Sequence, residues 1–147
     1  MDFTIRKMNI NDEIEILSMM EEFYSSDAVY TNGSIEIFKN DFKNCINDSP
    51  YLEGFVFEFN DEVLGYSMIA RSFSTEFGKE CIWLEDLYLK VPYRGNGIVP
   101  KFFEYIKNAY PNSILRLEVE KENMHAIHVY KKFGFEELPY MELKFSS

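Results

Sequence analysis

Two glycines and a basic residue follow a strongly apolar segment, and this spacing suits the binding of a phosphate group. The stretch reads Leu87-Tyr88-Leu89-Lys90-Val91-Pro92-Tyr93-Arg94-Gly95-Asn96-Gly97-Ile98. Glycine lets backbone N–H groups turn outward without a side chain in the way. The start of the next helix adds free N–H donors and a partial positive charge. Together these groups favour a phosphate or pyrophosphate, with Arg94 adding a charge-assisted contact.

The loop does not match the common nucleotide motifs. A Walker loop needs two glycines separated by four residues, the second followed by Lys and then Ser or Thr, and this pattern is absent here. The third glycine of a dinucleotide fingerprint is replaced by Pro100. The spacing from Gly95 to Gly97 by itself therefore leaves two interpretations open: a phosphate loop, or a glycine-rich turn between a strand and a helix.

The elements around this loop are predicted from periodicity. Strands are expected over 3–8, 52–59, 63–73, 81–91, around 115–119, 135–137 and 140–145. Helices are expected after Asn11 or Asp12, after Ser34, after the loop, and over 124–133, where Gly134 would form the C-terminal cap. The order β-α-α-β-β-β-α-β-α-β-β predicts one α+β domain over 1–147, not a regularly alternating parallel sheet.

Two motifs in this order resemble the GNAT superfamily of N-acetyltransferases. The family's acetyl-CoA loop has Arg or Gln, Gly three residues on, and Gly or Ala two further; Arg94 and Gly97 fill the first two positions. Downstream, the spacing of Asn, Ala, Tyr and Gly-Phe in the family is matched by the residues Asn123, Ala126, Tyr130, Gly134 and Phe135. The resemblance implies a splayed, mostly antiparallel sheet flanked by helices.

The resemblance also assigns candidate roles. It implies that acetyl-CoA, as co-substrate, lies along the strand and loop, with no metal; the residues expected to bind it are Leu87, Tyr88, Leu89, Arg94, Gly95, Asn96, Gly97, Ile98, Val99, Pro100, Asn123 and Tyr130. Tyr130 is the candidate general acid for the departing thiolate, and a packed helix tyrosine is the alternative. For Asn123 the alternative is a helix N-cap.

The sequence departs from the family pattern where Val99 stands in place of Gly or Ala. Pro100 has no N–H, and a residue before proline is pushed away from helical angles. We therefore expect the helix to begin at about Pro100, and we expect Val99 to crowd the cofactor's approach. This departure gives some weight to a non-catalytic acyl-CoA-binding module.

Two acidic residues interrupt the apolar strand before the loop. Strict alternation would put Glu85 with Trp83 and Leu87, and Asp86 with Leu84 and Tyr88. Burying carboxylates is costly unless they are paired or functional. Glu85 is therefore a candidate base, and both residues are candidates for binding a cationic amine. The Leu-Glu-Asp-Leu run resembles the diamine and polyamine acetyltransferase branch, and a strand-end carboxylate is the alternative for Asp86.

Composition sets the remaining expectations. The formal charge is −10, which repels nucleic acid and anionic membranes and favours a cationic acceptor over an acidic one. No leader sequence or long apolar run is seen, and the only cysteines, Cys45 and Cys81, suit a reducing compartment, so a cytoplasmic protein is expected. His125 and His128 are expected to be ordinary helix residues, with no metal site. A protein N-terminus, a lysine or an aminoglycoside stays an alternative acceptor, and a homodimer through the last strands is plausible.

Overall fold

A computed structural model describes residues 2–147. Five strands form one sheet in sequence order: β1 (Thr4–Lys7), β2 (Leu52–Phe59), β3 (Glu62–Ser74), β4 (Lys79–Leu89) and β5 (Ile114–Leu117). The first four are antiparallel neighbours, and β5 runs parallel to β4. The predicted α+β class with a mostly antiparallel sheet is confirmed.

Four helices cover the two faces of this sheet: α1 (Glu13–Tyr24), α2 (Ile35–Ile46), α3 (Ile98–Ala109) and α4 (Met124–Phe133). On one face, α1 and α2 bury a cluster that includes Ile16, Met20 and Phe42. On the other, α3 packs Phe102, Phe103 and Ile106 onto the sheet, with α4 beside it. The sheet is therefore a middle layer with a separate apolar cluster on each side.

Local signals set most helix ends as expected. The Ser34 hydroxyl accepts a hydrogen bond from the Ile37 amide, and Gly134, at φ 127°, closes α4. Before α1, however, Asn9 forms the capping box with Asp12, and the Asp12 side chain makes no cap to α1 itself. The Asp12 carboxylate instead pairs with Arg6 at 2.8 Å, so it ties β1 to the start of α1.

The two last predicted strands are not formed. Residues 135–147 carry no strand or helix, although Met141, Leu143 and Phe145 alternate with Glu142 and Lys144. A strand needs a hydrogen-bonded neighbour, and no backbone hydrogen bond involves residues 136–147 in the described part of the chain. These residues are called the terminal segment below.

Candidate acyl-transfer site

The second half of β4 has one free edge. β3 pairs with β4 along its length, but β5 pairs only from Cys81↔Ile114 to Leu84↔Leu117. Beyond that point, no strand among residues 2–147 pairs with the β5-facing edge of residues 85–89. The sheet is thus open between two parallel strands, and backbone groups of Leu87 and Leu89 lie in the opening. The expected splay of this strand from its neighbour is confirmed.

A β-bulge at Glu85 starts the open half of β4. Met68 pairs with Asp86 and Ile69 pairs with Leu84, so Glu85 is an extra residue without a partner on β3. The bulge reverses the alternation: Leu84 and Leu87 both pack into the cluster under α3, whereas Asp86 faces α1 and α2. The expectation that Asp86 shares a face with Leu84 is therefore wrong, although Asp86 does share a face with Tyr88.

Asp86 is a buried carboxylate held by two tyrosines. Its side chain is 2% exposed; Oδ1 accepts from the Tyr24 hydroxyl at 2.8 Å and Oδ2 from the Tyr66 hydroxyl at 2.7 Å. Ser67 adds a hydroxyl bond to the Asp86 carbonyl oxygen at 2.7 Å. Burial raises the pKa of Asp86, while the two tyrosine donors oppose the rise. Asp86 is thus a carboxyl group held in place by two hydroxyls, which solvent does not reach directly.

Other carboxyl groups stand near Asp86. Burial and the charge on Asp86 raise the pKa of Asp41, on α2, to about 6. Burial around its carboxyl, then Asp86, Glu142 and Asp41, raise the pKa of Glu85, which keeps an exposed side chain. A hydrogen bond with Glu142 and partial burial raise the pKa of Glu118, after β5, to about 7. We call Asp41, Glu85, Asp86, Glu118 and Glu142 the acidic group.

The acidic group has no cation of its own. The salt bridges formed within residues 2–147 involve Arg6, Arg71, Lys90 and Lys107, and none of them reaches this group. Neighbouring carboxyl groups contribute, beside burial, to the raised pKa values of Asp41, Glu85 and Glu118. A cation placed here would lower the free energy of ionising these carboxyls.

The loop after β4 presents free backbone donors. Gly95 and Gly97 have φ values of 79° and 77°, which only glycine adopts easily. Across the described chain, no backbone acceptor is found for the five amides from Gly95 to Val99. A Cβ on either glycine would meet nothing within 4 Å, so the approach is open. This arrangement fits a phosphate group.

Side chains brace the same loop. Arg94 Nε donates to the Leu89 carbonyl oxygen at 2.9 Å, and its guanidinium lies 5.6 Å from the Tyr88 ring centre. Asn96 Nδ2 donates to the Tyr93 carbonyl oxygen at 3.1 Å. Arg94 therefore holds the loop against the end of β4, and its exposed guanidinium nitrogens remain able to meet an anion.

The expected start of α3 is wrong by two residues. The helix begins at Ile98, so Val99 and Pro100 lie within its first turn. N–H groups in the first turn have no partner in the helix, so proline removes no helical hydrogen bond there. The half-buried side chain of Val99 packs against the cluster under α3.

Of the two candidate site residues on α4 and at its N-terminus, Tyr130 and Asn123, Tyr130 packs on the α3 side of the sheet. The Tyr130 ring packs against Phe103 and Phe135, with ring centres 6.1 and 5.9 Å apart. Burial raises the pKa of its hydroxyl, and no described residue hydrogen-bonds it. Asn123 Oδ1 caps α4 through the Ala126 amide at 3.3 Å, so the N-cap interpretation is confirmed.

A cleft brings Asn123 close to the turn after α1. About 500 Å³ in volume, it is lined by Asp27 and Val29 from that turn and by Glu120, Glu122 and Asn123 from the turn before α4. Its charged lining is entirely acidic. His125 and His128 are exposed on α4, and no group of metal-binding side chains forms among residues 2–147.

Sequence reasoning missed Tyr24, Tyr66 and Asp41. A buried Asp86 requires donors, so partners could have been sought, but only the fold shows which hydroxyls reach it. Asp41 gave a clearer signal, since it lies three residues after Phe38 on the apolar stripe of α2. An acidic residue on a buried stripe is unusual and indicates a special environment.

The chain belongs to the GNAT family of acetyltransferases. Residues 15–135 match the model of the family described as "Acetyltransferase (GNAT) family". This range contains both the open half of β4 and the loop that follows it. None of the helices formed by residues 2–147 is long and apolar enough to cross a membrane.

Among curated relatives, thialysine N-epsilon-acetyltransferase from Bos taurus is 38% identical over 79 residues, covering 52% of this chain and 46% of that protein. The match thus spans about half the length of the relative. A possible acetyltransferase from Clostridium difficile 630 shares the fold, with a TM-score of 0.84 at 23% identity over 99% of this chain and 97% of that one. A predicted acetyltransferase from Clostridium acetobutylicum, solved with acetyl-CoA, has a TM-score of 0.78 at 20% identity over 97% and 96%.

Proposed function

We propose that this protein is an acetyl-CoA-dependent N-acetyltransferase whose acceptor is a primary amine of a small, multiply charged cation, such as a diamine or polyamine. Membership of the family supports the reaction class. The observation that carries the acceptor class is the acidic group, whose five carboxyls have no salt-bridge partner in the described chain. The name of the Bos taurus relative, which specifies an amine acceptor, agrees with this class.

The loop and the open half of β4 fit acetyl-CoA as the acetyl donor. The free amides from Gly95 to Val99 and the Arg94 guanidinium would hold its phosphates. Backbone groups of Leu87 and Leu89 would bind its amide-containing arm as an added strand does. When bound, acetyl-CoA supplies an activated thioester carbonyl. The bound arm would then lie in the opening between the two faces of the sheet.

The acceptor would reach that opening from the α1 and α2 side. Asp86 is too buried for direct contact, but the half-buried Tyr24 hydroxyl that donates to it keeps its oxygen free to accept a bond from an ammonium group. The Asp41 carboxyl makes no hydrogen bond to another described side chain. Asp86 would therefore position Tyr24 and supply negative charge, while Asp41 and Glu85 offer carboxylates to a second ammonium group.

Two residues would handle the protons. Glu85, exposed at the bulge and with a raised pKa, is placed to take a proton from the acceptor ammonium, directly or through water. Tyr130 keeps its proton at neutral pH because burial raises its pKa, so it can donate that proton to the departing sulfur. Reduced Cys45 and Cys81 are consistent with cytoplasmic activity.

The test is release of the CoA thiol by the purified protein with diamines, polyamines, amino acids, aminoglycosides and N-terminal peptides as acceptors. We expect release with diamines or polyamines, and a kcat lower by about 10² or more in Tyr130→Phe with little change in acetyl-CoA affinity. Phe133→Leu, one turn from the same aromatic contacts, is the packing control. Acetyl-CoA binding without turnover on any acceptor would favour a sensor over an enzyme, and preferred turnover of peptides would overturn the acceptor class.

A further inference from the structure

A second cleft contains an arginine that no carboxylate of the chain neutralises. It has a volume of about 300 Å³ and lies between the end of β3, the start of β4 and β5. We call it the arginine cleft; its lining includes Ser72, Ser74, Thr75, Glu76, Trp83 and Arg116. Within residues 2–147, Arg116 forms no salt bridge and its side chain donates no hydrogen bond. The guanidinium is therefore available to a ligand.

The arginine cleft lies on the same face of the sheet as Asp86. Leu84 packs into the cluster under α3, and neighbouring strand residues alternate, so Trp83 points to the α1 and α2 side. Asp86 points to that side too, because of the bulge at Glu85. Arg116 pairs with Trp83 across β4 and β5. An acceptor bound at the acidic group can thus reach Arg116 without crossing the sheet.

The distance between the arginine cleft and the acidic group suits a short linear molecule. Trp83 precedes Glu85 by two residues on β4, and Arg116 precedes Glu118 by two residues at the end of β5. Two residues of extended chain span at most about 7 Å. This is close to the reach of an extended lysine side chain, so one small molecule can contact both places.

The guanidinium of Arg116 can meet a carboxylate along its edge. Its central carbon lies 4.5 Å from the Trp83 ring centre, an attractive contact that restrains the side chain. The N–H groups of a guanidinium point outward in its own plane, and they bind a carboxylate through two parallel hydrogen bonds. The hydroxyls of Ser72, Ser74 and Thr75 add donors to the lining of the cleft. These groups favour a carboxylate as the ligand of the cleft.

The surrounding charge selects against a ligand that is only an anion. The chain has a net charge of −10, and the acidic group lies next to the arginine cleft. A simple anion would be repelled on approach, whereas a molecule that also carries ammonium groups would be attracted. A molecule with a carboxylate at one end and an amine at the other matches both places at once.

We propose that the preferred acceptor is a diamine that also carries a carboxylate, such as a basic amino acid, and that Arg116 binds this carboxylate in the arginine cleft. The inference rests on the proposed function, because it takes the ammonium groups to be bound by the acidic group. It adds one anionic group to the acceptor and makes Arg116 a specificity-determining residue. A diamine without the carboxylate leaves the guanidinium unpaired or brings an ammonium group toward it, and both weaken binding.

The first test compares acceptors that differ only in the carboxylate: lysine with cadaverine, and ornithine with putrescine. CoA thiol release gives kcat/KM for each. We expect kcat/KM to be higher for the two amino acids by about tenfold or more, which is the effect of a hydrogen bond between charged groups. Equal or faster turnover of cadaverine and putrescine would overturn this inference and leave the proposed function standing. No turnover of any diamine, with or without a carboxylate, would overturn both.

Variants of Arg116 separate carboxylate binding from a structural role. In Arg116→Gln, the ratio of kcat/KM for lysine to that for cadaverine should fall by about tenfold or more, and Arg116→Lys should restore part of it, because lysine keeps the charge without the planar fork. Arg71→Gln is the matched control: Arg71 also lies over a ring, 4.9 Å from the centre of Tyr110, but it is paired with Glu80, so the ratio should stay that of the wild type. An equal loss for both acceptors in Arg116→Gln would mean that Arg116 only supports the fold.

Trp83 provides a readout that does not depend on turnover. It is the one tryptophan of the chain and contacts Arg116, so its fluorescence reports on the arginine cleft. With CoA present, lysine should change this fluorescence in a saturable way, and Arg116→Gln should weaken the apparent affinity by about tenfold or more. No response to lysine, or the same response to cadaverine, would contradict a carboxylate site at Arg116. Circular dichroism of each variant confirms that the fold is intact.

Discussion

Removing the Tyr66 hydroxyl tests whether Asp86 is an anion stabilised by two tyrosines. Tyr66 is fully buried and donates to Asp86 Oδ2 at 2.7 Å, so water has no access to replace it in Tyr66→Phe. A hydrogen bond to a charged group contributes about 1.5–3 kcal/mol, and we expect the free energy of unfolding to fall by about 2–3 kcal/mol at pH 8. Tyr24→Phe should cost less, about 1 kcal/mol, because Tyr24 is only half-buried and water can take over its hydrogen bond.

The pH dependence gives the sharper test. Burial raises the pKa of Asp86 above its ordinary 3.8, so the folded state binds the proton more readily than the unfolded state. The contribution of Asp86 to stability is therefore greatest at low pH and is lost as the pH rises through its folded pKa. Loss of a donor raises that pKa further, so Tyr66→Phe should be most destabilised relative to wild type at high pH. The difference should shrink in acid, where Asp86 is neutral in both proteins.

Urea unfolding at pH 8 and at an acid pH at which Asp86 is protonated, followed by the fluorescence of the one tryptophan, Trp83, measures both effects. Tyr105→Phe is the matched control: its ring packs on Phe102 and its hydroxyl bonds to no described side chain, so less than about 0.5 kcal/mol should be lost. The role given to Asp86 would be refuted if Tyr66→Phe lowered the free energy of unfolding as little as the control does. It would also be refuted if the loss were equal at the two pH values.

Two further predictions concern the loop and the acceptor side. Gly97→Ala should weaken acetyl-CoA binding in a titration and cost about 1–2 kcal/mol of stability, because alanine resists a φ of 77°. The control is Gly78→Ala, at φ 65° in the turn before β4, which should cost similar stability and leave binding unchanged. Equal affinities in the two variants would contradict the phosphate-loop assignment. The pKa of Asp41 is about 6, so this carboxyl ionises as the pH rises from 5 to 7, and the KM for a diamine should fall over that range. In Asp41→Asn the KM should change less over the same range. A pH profile of KM that is the same in the variant as in the wild type would exclude Asp41 from the acceptor side.

The sequence predicted the elements whose signals are local. The bounds of β2 and α4 were predicted to the residue, because the alternating phenylalanines of β2 and the caps Asn123 and Gly134 act within a few positions. The loop motif predicted amides that turn outward, and the amides from Gly95 to Val99 have no backbone acceptor in the described chain. Strand boundaries elsewhere shifted by one or two residues.

Non-local features could not be predicted in this way. The bulge at Glu85 depends on how β4 pairs with β3, and no pattern within β4 alone shows it. Tyr24 reaches Asp86 across 62 positions of sequence, so only the packing of α1 on the sheet brings them together. The terminal segment has the alternation of a strand, but alternation does not supply a neighbour.

The bulge at Glu85 divides β4 into a half that is paired on both edges and a half that is paired on one. Before it, Ile82 and Leu84 face the core under α3, and substitutions there act on folding. After it, Asp86 and Tyr88 face the α1 and α2 side, where Asp86 accepts the hydrogen bond of Tyr24. Deleting Glu85 would make Leu84 and Asp86 consecutive residues of a regular strand, so each would keep its present face and only the Glu85 carboxyl would be lost from the opening. The bulge thus inserts one exposed carboxyl at the start of the open edge without moving the side chains on either side of it to another face of the sheet.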